Sequence, residues 1–97
     1  MVAEDAQGVL LGFGVFDCDA NEVDALFVDP GRGGQGIGQA LMLRLLALAD
    51  RGREVVLSAS LNAVPFYQRQ GFISVREESY PHPSGVALAS VSMRRPW

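Results

Sequence analysis

The stretch Ala25-Leu-Phe-Val-Asp-Pro-Gly-Arg-Gly-Gly-Gln-Gly-Ile-Gly-Gln-Ala-Leu-Met42 reads as a buried strand, a proline break, five glycines within eight residues and then an amphipathic helix. Glycines let backbone N–H groups come close to a ligand. The helix that follows aims unpaired N–H groups and its positive dipole end at the same point. The stretch therefore reads as an anion-binding loop, and the chain is expected to hold a phosphorylated cofactor.

Three well-known loops compete for this pattern, and the residues around the glycines separate them. A P-loop requires Lys-Ser or Lys-Thr after its last glycine, to reach terminal phosphates and hold magnesium. Gly36 is followed by Ile37-Gly38, which fails that requirement. The dinucleotide pattern G-x-G-x-x-G is met formally by Gly31, Gly33 and Gly36, yet Pro30 separates strand from glycines. The next strand, near Val55 to Ser60, also lacks the terminal acid that would hold a ribose.

The third loop fits. Val28-x-Pro30 followed by Gly34-Gln35-Gly36-Ile37-Gly38 resembles the pyrophosphate loop of the GNAT superfamily of acetyl-CoA-dependent N-acetyltransferases. A second segment, Leu57-Ser-Ala-Ser-Leu-Asn-Ala-Val-Pro-Phe-Tyr-Gln-Arg-Gln-Gly-Phe72, is similar to that family's second cofactor segment, with a strand, an asparagine-led turn, a short helix carrying Phe-Tyr, and Gly-Phe opening the next strand. The two stand in the family's order and at its usual separation. The chain departs from the family at Gly33, where Gln or Arg usually precedes the Gly-x-Gly-x-Gly run; here Arg32 stands one position earlier.

Outward from the loop, Met1–Glu4 and Val9–Asp17 read as an antiparallel hairpin about the turn Asp5–Gly8, and Glu22–Val28 as a third strand. Strict alternation along that third strand would put Glu22, Asp24, Leu26 and Val28 on one face. A helix is expected from about Gly36 to Arg51, with Ile37, Leu41, Leu45 and Leu48 on one stripe and Gly52 as its stop. Glu54–Ser60 reads as a strand parallel to Glu22–Val28. Asn62 is expected to cap a short helix with Pro65 in its first turn and Gly71 at its end. Phe72–Glu78 and Val86–Arg94 complete an antiparallel pair across Ser79–Gly85. This predicts a single α+β domain over residues 1–97: a mixed, mostly antiparallel sheet with two helices, GNAT-like. The first strand and helix pair expected of that family have no counterpart before Met1, so the sequence reads as a short or truncated form.

Composition agrees with one small globular domain, since 48% of residues are hydrophobic and 20% charged. A formal charge of −3 gives no footprint for nucleic acid. The run Val9–Phe16 is too short to span a bilayer, and no His-Cys-Asp cluster suggests a metal. Cys18 is the single cysteine, in the turn Asp17–Asn21 with no histidine beside it, so it reads as a turn residue in a reducing, cytoplasmic setting. His82, between two prolines, reads as an exposed loop residue.

What the resemblance implies is transfer of acetyl from acetyl-CoA to a primary amine by direct attack. The cofactor's pyrophosphate would lie on the N–H groups of Arg32, Gly33, Gly34, Gln35, Gly36, Ile37 and Gly38. Its pantetheine arm would meet the backbones of Leu26, Phe27 and Val28, with Asn62, Phe66 and Tyr67 on the far side. This needs the Glu22 strand to splay from the Val55 strand. Tyr67 is the implied general acid for the departing thiolate. Glu22 is the implied base for the amine, with Asp24 as its rival. The alternative is a non-catalytic CoA-binding module with a regulatory or assembly role. An open sheet edge predicts a homodimer in either case.

Overall fold

The structure, a computed structural model, describes residues 1–32, 36–81 and 87–97. Its strands are β1 (Val2–Glu4), β2 (Leu10–Asp17), β3 (Glu22–Val28), β4 (Val55–Ser60), β5 (Ile73–Pro81) and β6 (Ala87–Arg95). Helices α1 (Ile37–Leu46) and α2 (Val64–Arg69) join them, each preceded by a 3-10 turn, Pro30–Arg32 and Leu61–Ala63 respectively. The sheet runs β1-β2-β3-β4-β6-β5. Every pairing is antiparallel except β3 with β4. The α+β mixed sheet with two helices is thus as expected, with β6 inserted between β4 and β5.

Both helices cover one face. Leu41, Met42, Leu45 and Leu46 of α1 are buried. The last three share a core with Val55, Leu57 and Ala59, the alternate residues of β4, and with Tyr67 of α2. Each such aliphatic side chain contributes about 1.5–3 kcal/mol by leaving water. Helix α1 packs directly over the glycines of β2: a Cβ on Gly12 would stand 3.1 Å from Leu41 Cδ1, and one on Gly14 would stand 2.8 Å from Leu45 Cδ1. The opposite face carries Phe13, Val15, Phe27 and Val56, all exposed, with Phe13 and Phe27 stacked at 5.6 Å.

Four expectations are corrected. The first helix ends at Leu46, not near Arg51, and Leu48 of the expected apolar stripe is exposed. Asn21 and Asp50 explain this: the Asp50 N–H donates to Asn21 Oδ1 and the Gly52 N–H to Asp50 Oδ1, so the chain leaves the helix for a side-chain-bonded turn. Gly52 therefore serves that turn and not the helix end. In β3, Val15 pairs with Ala25 but Phe16 with Val23, which makes Asp24 the extra residue of a bulge. Alternation restarts after it. Val23, Leu26 and Val28 turn to the helix side, so Glu22 does not share a face with Leu26 and Val28. Asn62 does not cap α2: Ala63 holds that position without a side-chain bond, while Asn62 Oδ1 accepts from Ser60 Oγ at 2.8 Å within the preceding turn. The last two strands run to Pro81 and Arg95, past their expected ends. Pro65 in the first turn of α2 and Gly71 at its end, with φ +94°, are as expected.

Candidate functional site

The parallel pair is closed at one end and open at the other. Glu22 opposite Val56 is its single register pair, supported by the Val56 N–H donating to Asn21 O at 3.2 Å. Beyond it the strands diverge. The Asp29 N–H donates to Leu11 O, which fixes the phase of the β2–β3 ladder. Phe27 then exchanges bonds with Phe13, and the N–H and C=O groups of Leu26 and Val28 point away from β2 into the gap. The splay expected between the Glu22 and Val55 strands is present. It leaves the Leu26 and Val28 backbones, rather than that of Phe27, available to a ligand.

A cavity of about 230 Å³ fills this gap on the helix side, lined by Leu26, Val28, Gly38, Ala63, Phe66 and Tyr67. Gly38 is necessary to its shape. A Cβ there would lie 3.2 Å from two atoms of the Phe66 ring. Phe66 and Tyr67 meet edge to face at 5.3 Å, and Tyr67 meets Phe72 at 5.9 Å, so the phenol ring is held on two sides. Burial raises the Tyr67 phenol above its ordinary value, which keeps it a proton donor through neutral pH.

The N-terminus of α1 opens beside this cavity. Gly36 takes a left-handed conformation, φ +73°, and its carbonyl accepts from the Ala40 N–H at 3.0 Å. The first turn has neither a side-chain cap nor an acidic residue, so its N–H groups and the positive end of the helix dipole are not offset. Arg32 closes the 3-10 turn that leads here. Gly33, Gly34 and Gln35, together with the Arg32 side chain, lie outside the described residues, as does His82. The geometry thus joins a narrow apolar slot carrying backbone donors and acceptors, an anion-receptive helix end and a buried phenol.

Glu22 is elsewhere. It sits at the closed vertex, on the open face, and lines a second cavity of about 360 Å³ with Glu54, Val56, Ser58, Arg76 and Arg94. Asp24 is exposed in the bulge. Asn62 is exposed at the mouth, next to Ala63. Cys18 is exposed in its turn, where Asp17 Oδ1 accepts from the Asp19 and Ala20 N–H groups. Among the described residues, no helix is long and apolar enough to cross a membrane, and no cluster of three metal-ligating side chains occurs.

Sequence reasoning missed Asn21. It is fully buried with φ +54°, and its Nδ2 donates to the carbonyls of Asp50, Arg53 and Glu54. The residue hangs the α1–β4 loop on the start of β3 and so builds the vertex from which the strands splay. An asparagine closing a turn before a strand was its one signal. Trp97 was missed as well: its Nε1 donates to Arg53 O, and Arg51 and Arg95 lie over its ring at 4.7 and 4.9 Å.

Comparison with known proteins agrees with this geometry. The family model described as an acetyltransferase (GNAT) domain matches residues 1–85. A peptidyl-lysine N-acetyltransferase, YjaB of Salmonella typhimurium, is 44% identical over 50 residues, which are 52% of this chain and 34% of that protein. The crystal structure of a GCN5-related N-acetyltransferase from Rhodopseudomonas palustris superposes with a TM-score of 0.84 at 28% identity, over 96% of this chain and 58% of that one. A phosphinothricin acetyltransferase of the GNAT superfamily from Sinorhizobium meliloti, solved in complex with AcCoA, shares the fold at a TM-score of 0.78 and 21% identity, over 98% of this chain and 58% of that one. The chain therefore spans little more than half of these structures, and its match to YjaB spans about a third of that relative.

Proposed function

Because the chain belongs to the GNAT acetyltransferase family, we propose that it binds acetyl-CoA and transfers the acetyl group to a primary amine by direct attack. The observation that carries this reading is the splay of β3 from β4, with Leu26, Val28, Phe66 and Tyr67 around the gap and the uncapped α1 terminus beside it. A pantetheine arm laid in the slot would bond to the free Leu26 and Val28 backbone groups as a further strand would. The pyrophosphate would rest on the N–H groups of the segment from Arg32 to Gly38. The Val28 or Leu26 N–H would polarise the thioester carbonyl.

Tyr67 lines the slot with its proton retained, and is the proposed general acid for the departing CoA thiolate. Attack forms the C–N bond, collapse breaks the C–S bond, and the phenol proton goes to sulfur. The amine's own proton leaves from the open face. Asp24, which stands nearer the mouth along β3, is the carboxylate proposed to draw it off through water, and Glu22, the base the resemblance implied, stands farther off at the vertex. The name of the Salmonella relative makes a lysine side chain one proposed acceptor. A homodimer through the outer strand β1 and a reducing cytoplasmic setting, in keeping with the single free and exposed Cys18, belong to the same proposal.

Calorimetric titration with acetyl-CoA and with CoA, followed by an amine-acetylation assay, tests the reading. Saturable binding with turnover is expected. Binding without turnover of any amine would favour the alternative, a CoA-binding module. A folded protein that binds neither ligand would overturn both.

A further inference from the structure

The open-face cavity at the vertex holds charges of both signs, and their pairing leaves one group over. Arg94 is paired with Glu54. Arg76 Nε donates to Glu78 Oε1 at 2.7 Å, and Ser92 Oγ donates to the same oxygen at 3.1 Å. Glu22, half-buried in the wall, has no hydrogen-bond or ion-pair partner among the described residues. A concave site of about 360 Å³ with Val56 and Val75 as apolar walls, Ser58 as a hydroxyl and a single uncompensated carboxylate suits an organic cation on an aliphatic stem.

Position decides what that cation is. A general base must reach the proton it takes directly or through one water. Glu22 pairs with Val56 at the vertex, whereas the slot opens at Leu26. At about 3.3 Å per residue that separation is roughly 10–13 Å, less the bulge and the reach of the side chain. Glu22 is thus too distant to touch an amine at the thioester. It is well placed to hold a second charge on the same molecule.

We infer that the cavity around Glu22 anchors the far cationic group of a diamine or polyamine acceptor, whose other amine is delivered through the splay to the acetyl group. This rests on the acetyltransferase reading and names its substrate class. The stem would run over Val56 and Ser58 along β4, with the distal ammonium against the Glu22 carboxylate.

The test compares cadaverine and spermidine with pentylamine, which has the stem but one charge, at saturating acetyl-CoA. The inference expects kcat/KM for the diamines to exceed that for pentylamine by about tenfold, the ratio that one partly desolvated ion pair supplies. It expects Glu22→Gln to bring that ratio close to one and Asp24→Asn to leave it in place. A ratio near one in the unaltered protein would overturn the inference, as would a ratio that survives Glu22→Gln. Equal losses for all three amines in Glu22→Gln would mark Glu22 as a base alone and overturn it too. Titration of the protein without cofactor keeps the inference testable if turnover is absent. Cadaverine binding tighter than pentylamine, and weakened by Glu22→Gln, supports it; equal binding overturns it. Failure to bind acetyl-CoA would sink the acetyltransferase reading and leaves this titration readable.

Discussion

The two ends of the β3–β4 pair are built from opposite materials. At the closed end, Asn21 ties three carbonyls and one N–H of the α1–β4 loop to the start of β3, and Glu22 pairs with Val56. At the open end, Leu26 and Val28 leave their backbone groups unpaired beside an apolar cavity. A parallel pair joined at one point is poor sheet. It persists because β2 holds β3 on its other side and β6 holds β4 across its whole length. Hydrogen-bonding capacity given up at the mouth becomes capacity for a ligand, while the vertex keeps the two strands in one sheet. The comparison predicts that changes at the mouth alter chemistry with little effect on folding, and changes at the vertex do the reverse.

The largest expected effect belongs to the mouth. Tyr67→Phe keeps the ring between Phe66 and Phe72 and removes the proton donor. The rate of acetyl transfer should fall about 10²–10⁴-fold, the range for losing a positioned general acid. CoA affinity and melting temperature should stay near those of the unaltered protein. Steady-state kinetics with calorimetric titration of CoA would check this, and a rate within a few-fold of the original would remove Tyr67 from the chemistry.

Next comes the vertex. Asn21→Ala strands several buried polar groups and forces alanine into a left-handed conformation, which together should cost about 3–4 kcal/mol of stability. Asn21→Gly relieves only the backbone part and should be about 1 kcal/mol milder. Urea denaturation of the pair measures both terms. A loss under about 1 kcal/mol for Asn21→Ala would mean that the vertex does not depend on this residue.

The same contrast explains what the sequence disclosed. The mouth is made of local signals: a proline break, glycines before a helix, and Phe66-Tyr67 after a strand. These were legible, and so were the six strands and the two helices, while the splay entered only as a condition of the family resemblance. The vertex is made of distant contacts. Asn21 reaches residues some thirty positions on, and no local pattern announces that its amide will draw Asp50 out of a helix that composition alone carries to Arg51. The bulge at Asp24 was illegible for a related reason. Alternation is a statement about one strand, whereas a bulge is a mismatch in count between two, here β2 and β3. Placing Glu22 with Leu26 followed from that, whereas Asn62 was read as a cap because nothing local marks Leu61–Ala63 as a turn separate from α2.

A smaller effect sharpens the comparison at Gly38, which belongs to helix and mouth together. Gly38→Ala gains about 1 kcal/mol of helix propensity. The new methyl meets Phe66, which takes back a similar amount and pushes the ring toward the slot. Stability should therefore change by less than about 1 kcal/mol while CoA affinity drops about tenfold. Titration and urea melting on the same preparation separate the two. Unchanged affinity would show that the slot is wider than the Phe66 contact implies.

The smallest effect is one of pH, and it rests on a single proton at the mouth. Burial favours the neutral phenol of Tyr67, so the folded chain holds this proton to higher pH than the unfolded chain does. Its contribution to stability is therefore fully present below the ordinary tyrosine value of about 10, and is lost as pH rises from there through the raised folded value. The unaltered protein should lose more stability between about pH 9 and pH 11 than Tyr67→Phe does, every other group being common to the two proteins. Urea midpoints of the two proteins at the two pH values give the difference directly. Parallel losses would mean that the phenol reaches water in the folded state, and the slot would then be too wet to hold its acid protonated by burial.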